Sequence, residues 1–408
     1  MYHGAVPTHD VVILGGGVSG LSFAFHAARA GRTVHVIEQD ARLGGCLDTR
    51  TAEGFWIELG AHTCYNSYGA FIELLEGTGL MGELQPRGKA VLRFLDRDAI
   101  LPGKNLGALL RGMSLWQLVR SMPRMIGASP EGKTVRAHYG RIVGDGNYER
   151  VLGPMLSAVP SQRADDFPAD MLFKKRPRRK DVLRSFTLRG GLGTLAARIG
   201  QRPGITFATG RAATGLARDG AGFAVALDGG ERLTAELVAI ATPPRTAARL
   251  LSGVLDDATS RVAALGEASV DTVGVVVRAD QVAAIPYATF LIPRGDLFHS
   301  VVTRDVVPDP TWRGFVFHFQ PGHAEADRLA RVTALLGVAR ADLADVSQRH
   351  TTLPSPVLGH KDVVAGLDAA LATQPRLAVT GNWFAGLSIE DCVQRSRAEW
   401  QRVARAAG

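Results

Sequence analysis

The stretch "VVILGGGVSGLSFAFHAARAGRTVHVIE", residues 11–38, decides how the rest of the chain is read. Val11-Val12-Ile13-Leu14 is a short unbroken apolar run, as a parallel strand buried on both faces should be. Gly15-Gly16-Gly17-Val18-Ser19-Gly20 follows at once, and Leu21 to Ala30 continues as an alanine-rich helix that Gly31 ends. Val34-His35-Val36-Ile37 is the second strand, closed by Glu38, eighteen residues after Gly20. Gly15 permits the tight turn, Gly17 lets the backbone approach a pyrophosphate, and Gly20 lets helix and strand pack closely. Glu38 stands where a carboxylate accepts hydrogen bonds from a ribose. Strand, glycine turn, helix, strand and acid together predict a dinucleotide-binding βαβ unit.

The bulk of the sequence agrees with an ordinary enzyme-sized protein. Its 408 residues exceed one small core, and the 46% apolar and 21% charged content excludes a disordered chain. Three widely spaced cysteines, Cys46, Cys64 and Cys392, make neither a disulfide framework nor a zinc site, so no metal is expected and a reducing, cytoplasmic setting fits. The first residues show no charged segment ahead of an apolar one, and no apolar run approaches the roughly 18 residues that span a bilayer. Of the net charge of +8, Lys174-Lys175-Arg176-Pro177-Arg178-Arg179-Lys180 supplies six positive charges. That run reads as a solvated loop, or as a patch for a peripheral membrane contact or an acidic substrate. Lacking interleaved aromatics, it does not read as a nucleic-acid footprint.

Outward from the βαβ unit, the nucleotide motif is extended. Arg42-Leu43-Gly44-Gly45 follows Glu38, then "GFWIELGAH" at 54–62. Residues 205–244 alternate short strands with turns at Asp219-Gly220 and Gly229-Gly230, a meander ending in the buried strand Leu237 to Ala241 and the turn Thr242-Pro243-Pro244. A third apolar strand, Leu377 to Thr380, precedes "GNWFAGLSIEDC" at 381–392, where Ser388 is placed to cap the last helix.

Glu38-xxx-Arg42-x-Gly44-Gly45 resembles the extended FAD fingerprint of the flavin amine oxidase superfamily. "GGGVSGLSFAFHAARAG", "RLGGCLDT", "FWIELGAHT", "SFTLRGGLGTL" (185–195) and "GNWFAGLSIEDC" are similar, in the same order, to stretches of protoporphyrinogen oxidases. The resemblance covers roughly residues 10–110, 185–250 and the last thirty; 280–370 does not align. It implies an α/β fold: a discontinuous Rossmann-like FAD-binding domain, a mixed α+β substrate domain and a helical insertion. The boundaries expected are 1–88, 185–250 and 372–408 for the FAD domain, 89–184 for the helical and substrate insertion, and 251–371 for the substrate domain.

By the same resemblance, FAD contacts fall on Gly15, Gly16, Gly17, Val18, Ser19 and Gly20, then on Glu38, Gln39, Arg42, Gly45 and Cys46. Further contacts fall on Gly60, Ala61, His62, Thr63 and Ala213, and finally on Asn382, Leu387, Ser388 and Ile389. The last turn carries no cysteine or histidine between Gly381 and Ile389, which implies non-covalent FAD. A helix start there would stabilise the negative charge that a flavin gains on reduction.

Catalytic candidates are few, as expected where the cofactor carries the chemistry. Arg93 matches an arginine that the family uses to hold a substrate carboxylate, a role suited to a planar guanidinium. His62 is placed beside the flavin, where an imidazole could assist proton loss near neutral pH. His318 and His323 read as strand and turn residues. Departures from the family (Gly60-Ala61-His62 where many members have Pro-Arg, and the basic run before "SFTLRGG") fall around the substrate. The expected activity is O2-linked dehydrogenation of a reduced, nitrogen-containing small molecule. The alternatives are an amine oxidase or desaturase tailoring a small metabolite, and an inactive flavin-binding partner subunit. The oligomeric state stays open.

Overall fold

Val11 to Leu14 are buried because the strand His9–Leu14 has parallel neighbours on both sides, Val34–Glu38 and Arg232–Ile240. A computed structural model describes residues 9–406; residues 1–8, on which the absence of a leader-like segment was read, and 407–408 lie outside the described residues. The sheet built on this strand has seven strands in the order Ile205–Thr209, Val34–Glu38, His9–Leu14, Arg232–Ile240, Gly222–Leu227, Ala213–Asp219, with Leu377–Val379 pairing parallel to Arg232–Ile240. Three distant stretches of chain thus meet in one sheet. The nine-residue strand Arg232–Ile240 joins them: its first half closes the antiparallel meander, and its second half runs parallel to His9–Leu14.

Helices cover this sheet on the apolar faces of its strands. Val18–Arg29 buries Leu21, Phe23, Ala24 and Phe25 against the C-terminal helix Ile389–Ala406, with Phe23 and Trp400 edge-to-face at 5.6 Å. Glu390, in the first turn of that last helix, is fully buried. Its two oxygens accept the backbone N–H groups of Ala70 (3.0 Å) and Phe71 (2.9 Å), satisfying the free start of the helix Gly69–Gly77.

A second seven-stranded sheet runs Leu343–Pro354, Glu267–Arg278, Trp312–Phe319, Phe298–Thr303, Phe290–Pro293, Leu92–Asp96, Ala99–Ile100. It docks on the strand Phe55–Glu58 because two of its residues are glycines. A Cβ at Gly274 would meet Leu59 at 2.4 Å, and one at Gly314 would meet Ile57 at 2.3 Å. Residues 105–172 are helical, around Val135, Val143, Tyr148, Leu156 and Phe167. Among the described residues no helix is long and apolar enough to cross a membrane.

Candidate active site

The two glycine turns of the nucleotide end touch. Gly44 N–H donates to the Gly16 carbonyl at 2.8 Å, and a Cβ on Gly45 would lie 2.9 Å from Gly17 Cα. Gly20 is held to glycine more strictly, since a Cβ there would fall 1.9 Å from the Gly15 carbonyl oxygen. Gly17 itself meets nothing nearer than Gly45, so its face is open. The helix Val18–Arg29 that follows has no side-chain cap and no acid in its first turn, leaving its N–H groups and positive end free for an anion. Ser19 is buried in that first turn.

Glu38 Oε2 accepts the Gly16 N–H at 2.6 Å and Oε1 that of Asp40 at 2.8 Å. Burial raises its pKa above the ordinary carboxylate value, these two bonds opposing the rise. The carboxylate keeps lone pairs for hydroxyl donors. The backbone of Arg211, leading to Ala213, donates to the Glu38 carbonyl, which brings the meander beside the same strand end. Gln39 is exposed at that end.

Arg42, expected along a cofactor, is tied to its own loop. Its guanidinium bonds the Gly45 carbonyl at 2.7 Å and pairs with the buried Asp48 at 3.0 Å. Arg50 (2.8 Å) and Arg349 (2.9 Å) converge on the same carboxylate. Arg42 therefore braces the loop rather than pointing away from it. Cys46 and Gly60 are fixed to each other: the Cys46 carbonyl accepts the Ala61 N–H at 2.8 Å, and a Cβ at Gly60 would meet that oxygen at 2.2 Å.

Beyond Gly60 opens a cavity lined by Trp56, Glu58, His62, Arg87, Val302 and Arg304, among others. Its volume is about 350 Å³, counting the open mouth. His62 bonds the Gly60 carbonyl through Nδ1 at 3.2 Å and faces the ring of Phe290 at 5.8 Å. Burial, with Arg87 nearby, pushes its pKa down to about 3. Burial thus favours the neutral imidazole, which weighs against the proton-acceptor role expected for it. Arg93 is not among the lining residues. It bonds the carbonyls of Tyr287 (2.9 Å) and Gly103 (3.3 Å), bracing loops that flank the second sheet.

Two arginines that sequence reasoning missed stand in the cavity instead. Arg87 donates to Thr63 Oγ1 and has no carboxylate in ion-pair distance among the described residues; burial lowers its pKa. Arg304 lies between two aromatic rings, 4.1 Å from the Phe55 centroid and 4.2 Å from that of Trp56. Its Nε and Nη1 are buried without a hydrogen-bond partner, and burial pulls its pKa down to about 10. Glu58 is the cavity's buried acid. It accepts the Leu192 N–H (2.6 Å) and the Thr49 hydroxyl (2.8 Å), and burial pushes its carboxyl up to about 7.

The C-terminal turn is anchored on the other side. Trp383 Nε1 donates to the Thr242 carbonyl at 3.1 Å, so the second and third returns of the chain meet. Ser388 Oγ accepts the Asp391 N–H at 3.2 Å at the start of the last helix. Asn382 is half-buried, Leu387 leans on the helical cluster, and the Ile389 side chain is buried in the nucleotide core, leaving backbone for any ligand. Lys174 and Arg176 both pair with Asp391, at 2.9 and 2.8 Å, and Arg179 pairs with Glu76 and Asp181. The basic run is thus no plain solvated loop. The run has no regular secondary structure, and of its basic residues only Lys175, Arg178 and Lys180 remain exposed.

The family model for flavin containing amine oxidoreductase matches residues 18–281, from the first helix into the second sheet. The chain belongs to the flavin-containing amine oxidoreductase family. It is 24% identical to coproporphyrinogen III oxidase of Propionibacterium freudenreichii, over 97% of this chain and 91% of that one. A protein of Exiguobacterium sp. 255-15 assigned as a protoporphyrinogen oxidase shares the fold with TM-score 0.77 at 19% identity, covering 98% and 99% of the two chains. Cyclohexylamine oxidase of Brevibacterium oxydans does so with TM-score 0.71 at 18% identity, covering 98% and 100%. The residues present fit the flavin that this amine oxidoreductase family carries: an open glycine face, an uncapped helix start, and an acid closing the second strand. Among the described residues no cluster of histidine, cysteine, aspartate or glutamate could hold a metal.

Proposed function

We propose that the chain is an FAD-dependent dehydrogenase acting on a reduced, nitrogen-containing ring that carries carboxylates, as a porphyrinogen does, with O2 as the final acceptor. The observation that carries this reading is the pair Arg87 and Arg304 in the cavity next to His62. Among the described residues neither is neutralised by an ion pair, and Nε and Nη1 of Arg304 are buried without acceptors. Such donors are costly to leave unmade, and a substrate carboxylate satisfies them through a planar fork. The coproporphyrinogen III oxidase relative acts, by its name, on a substrate of this kind.

Bound flavin supplies the hydride acceptor. The protein's own residues would do the rest: Glu38 would receive the ribose hydroxyls, the start of Val18–Arg29 would hold the pyrophosphate, and the last helix start would stabilise charge on the flavin. Arg87 and Arg304 orient the substrate's acidic arm, while Trp56, Val302 and Val316 exclude water around it. The neutral His62 offers a hydrogen bond and no charge.

A second reading, oxidation of a small amine, is favoured by the fold shared with cyclohexylamine oxidase. Two unpaired arginines repel an ammonium substrate, which weighs against it. Anaerobic mixing with coproporphyrinogen III, protoporphyrinogen IX, cyclohexylamine and putrescine separates the readings. Bleaching of the flavin by a porphyrinogen alone is expected, and bleaching by the amines alone would overturn the assignment. Acid precipitation should release FAD into the supernatant; colour retained by the pellet would contradict non-covalent binding.

A further inference from the structure

The helices Asn105–Gly112 and Leu115–Ser121, with the tight turn Met122–Met125, carry large apolar side chains on their outer side as well as their inner one. Leu106 and Leu110 stand four residues apart on one exposed face. Trp116, Val119, Met122 and Ile126 continue it at helical spacing, Trp116 being 69% and Ile126 84% exposed. The inward side packs Ala108, Leu109, Met113 and Leu118 on the core and adds a polar lock. Asn147, fully buried, accepts the Ser114 N–H at 2.6 Å and donates to the Ser114 and Val143 carbonyls at 3.0 and 2.9 Å. Its own N–H donates to Gln117 Oε1 at 2.9 Å, and Ser121 is buried beside them. The inward side is thus locked to the protein, and a second apolar side is turned to solvent. An exposed apolar face of this extent marks a surface that is covered in use.

Charge says by what. Between residues 99 and 130 there is no aspartate or glutamate, while Lys104, Arg111, Arg120 and Arg124 are all exposed and make no ion pair among the described residues. Large apolar side chains beside unpaired cations match the interface of an anionic bilayer, where the apolar groups enter the acyl boundary and the cations meet headgroup phosphates. A second copy of this chain fits poorly, because a two-fold contact sets each patch against itself and would press cations on cations with no acid between them. We propose that this helical segment docks the protein reversibly on an anionic membrane surface. The assignment is independent of the substrate and differs from one through Lys174–Lys180, half of whose charges are spent on Asp391, Glu76 and Asp181.

The test is sedimentation of the flavin-loaded protein with sucrose-filled vesicles of phosphatidylcholine, alone or with about 30 mol % phosphatidylglycerol, each cation contributing about fivefold in affinity. Binding to the anionic vesicles should exceed binding to neutral ones by at least about tenfold and be lost near 1 M salt. Trp116→Ser/Val119→Ser/Ile126→Ser should abolish it and Arg111→Gln/Arg120→Gln/Arg124→Gln should weaken it. Lys175→Gln/Arg178→Gln/Lys180→Gln should leave it intact. Brominated lipid should quench tryptophan emission in the parent and not in Trp116→Phe. The flavin spectrum and thermal midpoint check that each variant is folded. No binding by the parent at low salt, or equal binding by the Ser variant, overturns the proposal. So does a concentration-dependent dimer that the Ser variant abolishes without any vesicle binding, which would make the occupant a second copy.

Discussion

Arg349, on the outer strand of the second sheet, places one guanidinium nitrogen 2.9 Å from Asp48 and 2.7 Å from the Gly45 carbonyl. It therefore grips the glycine loop that leans on Gly17, from a strand some 300 residues later in the chain. Arg349→Met removes the grip while Arg42 and Arg50 still neutralise Asp48. The expected loss is about 1.5–3 kcal/mol for a charge-assisted bond. Flavin affinity should fall about tenfold or more, read by fluorescence titration of the apoprotein. Unchanged affinity would reduce the contact to a surface ornament.

Arg304→Gln keeps a polar side chain between Phe55 and Trp56 but loses the charge and the fork. With a carboxylate-bearing substrate, KM should rise about tenfold to a hundredfold while kcat changes little, as expected for binding shared by ground and transition states. An esterified substrate should not distinguish parent from variant. If acid and ester suffer equally, Arg304 is acting through packing alone.

Glu58 makes stability depend on pH with a definite sign. Burial raises its folded value from 4.5 to about 7, so its protonated form suits the fold. Its contribution is complete below the unfolded value and is lost as pH rises through the folded one. Glu58→Gln removes this titration. The stability difference should therefore move in the variant's favour by up to about 3 kcal/mol between about pH 4.5 and 8. Parallel melting curves for parent and variant across that range would refute the burial argument.

Asp391 is buried beside the start of the last helix. Burial alone would raise its pKa, but the bonds from Ser388 and Lys174 and the charges of Lys174 and Arg176 outweigh that and hold it below the usual range. Lys174→Gln/Arg176→Gln leaves this charge unanswered beside the helix start proposed to face the flavin. Its midpoint potential should drop by about 30 mV or more, each such step being worth about 1.4 kcal/mol for two electrons. A potential unmoved in dye-coupled titration would place the flavin elsewhere.

What could be read from the sequence were features fixed by neighbours in sequence. The glycine spacing, the alanine helix and Glu38 act within one βαβ unit, and the α/β flavoprotein fold follows from them. Arg87, Arg304 and Glu58 carry no such signal. They converge only after strands far apart in sequence, such as Phe55–Glu58 and Phe298–Thr303, are brought together by the glycines Gly274 and Gly314. Arg42 and the basic run were legible as charges, but their partners Asp48 and Asp391 were not. The 105–126 segment shows the same limit differently: periodicity reveals an apolar stripe without saying which side faces inward.

The first sheet has a consequence for how the chain comes into being. Leu377–Val379 is a strand of it, and Glu390 holds the start of a helix 320 residues earlier. During synthesis the nucleotide unit therefore emerges first and waits, its sheet lacking a strand and its helix Gly69–Gly77 lacking a cap, until nearly the whole chain has followed. Closing so long a loop comes late and slowly. Nascent chains halted near residue 370 should sediment as aggregates or bind chaperones, and retain no flavin, although every glycine of the pyrophosphate turn has long been made.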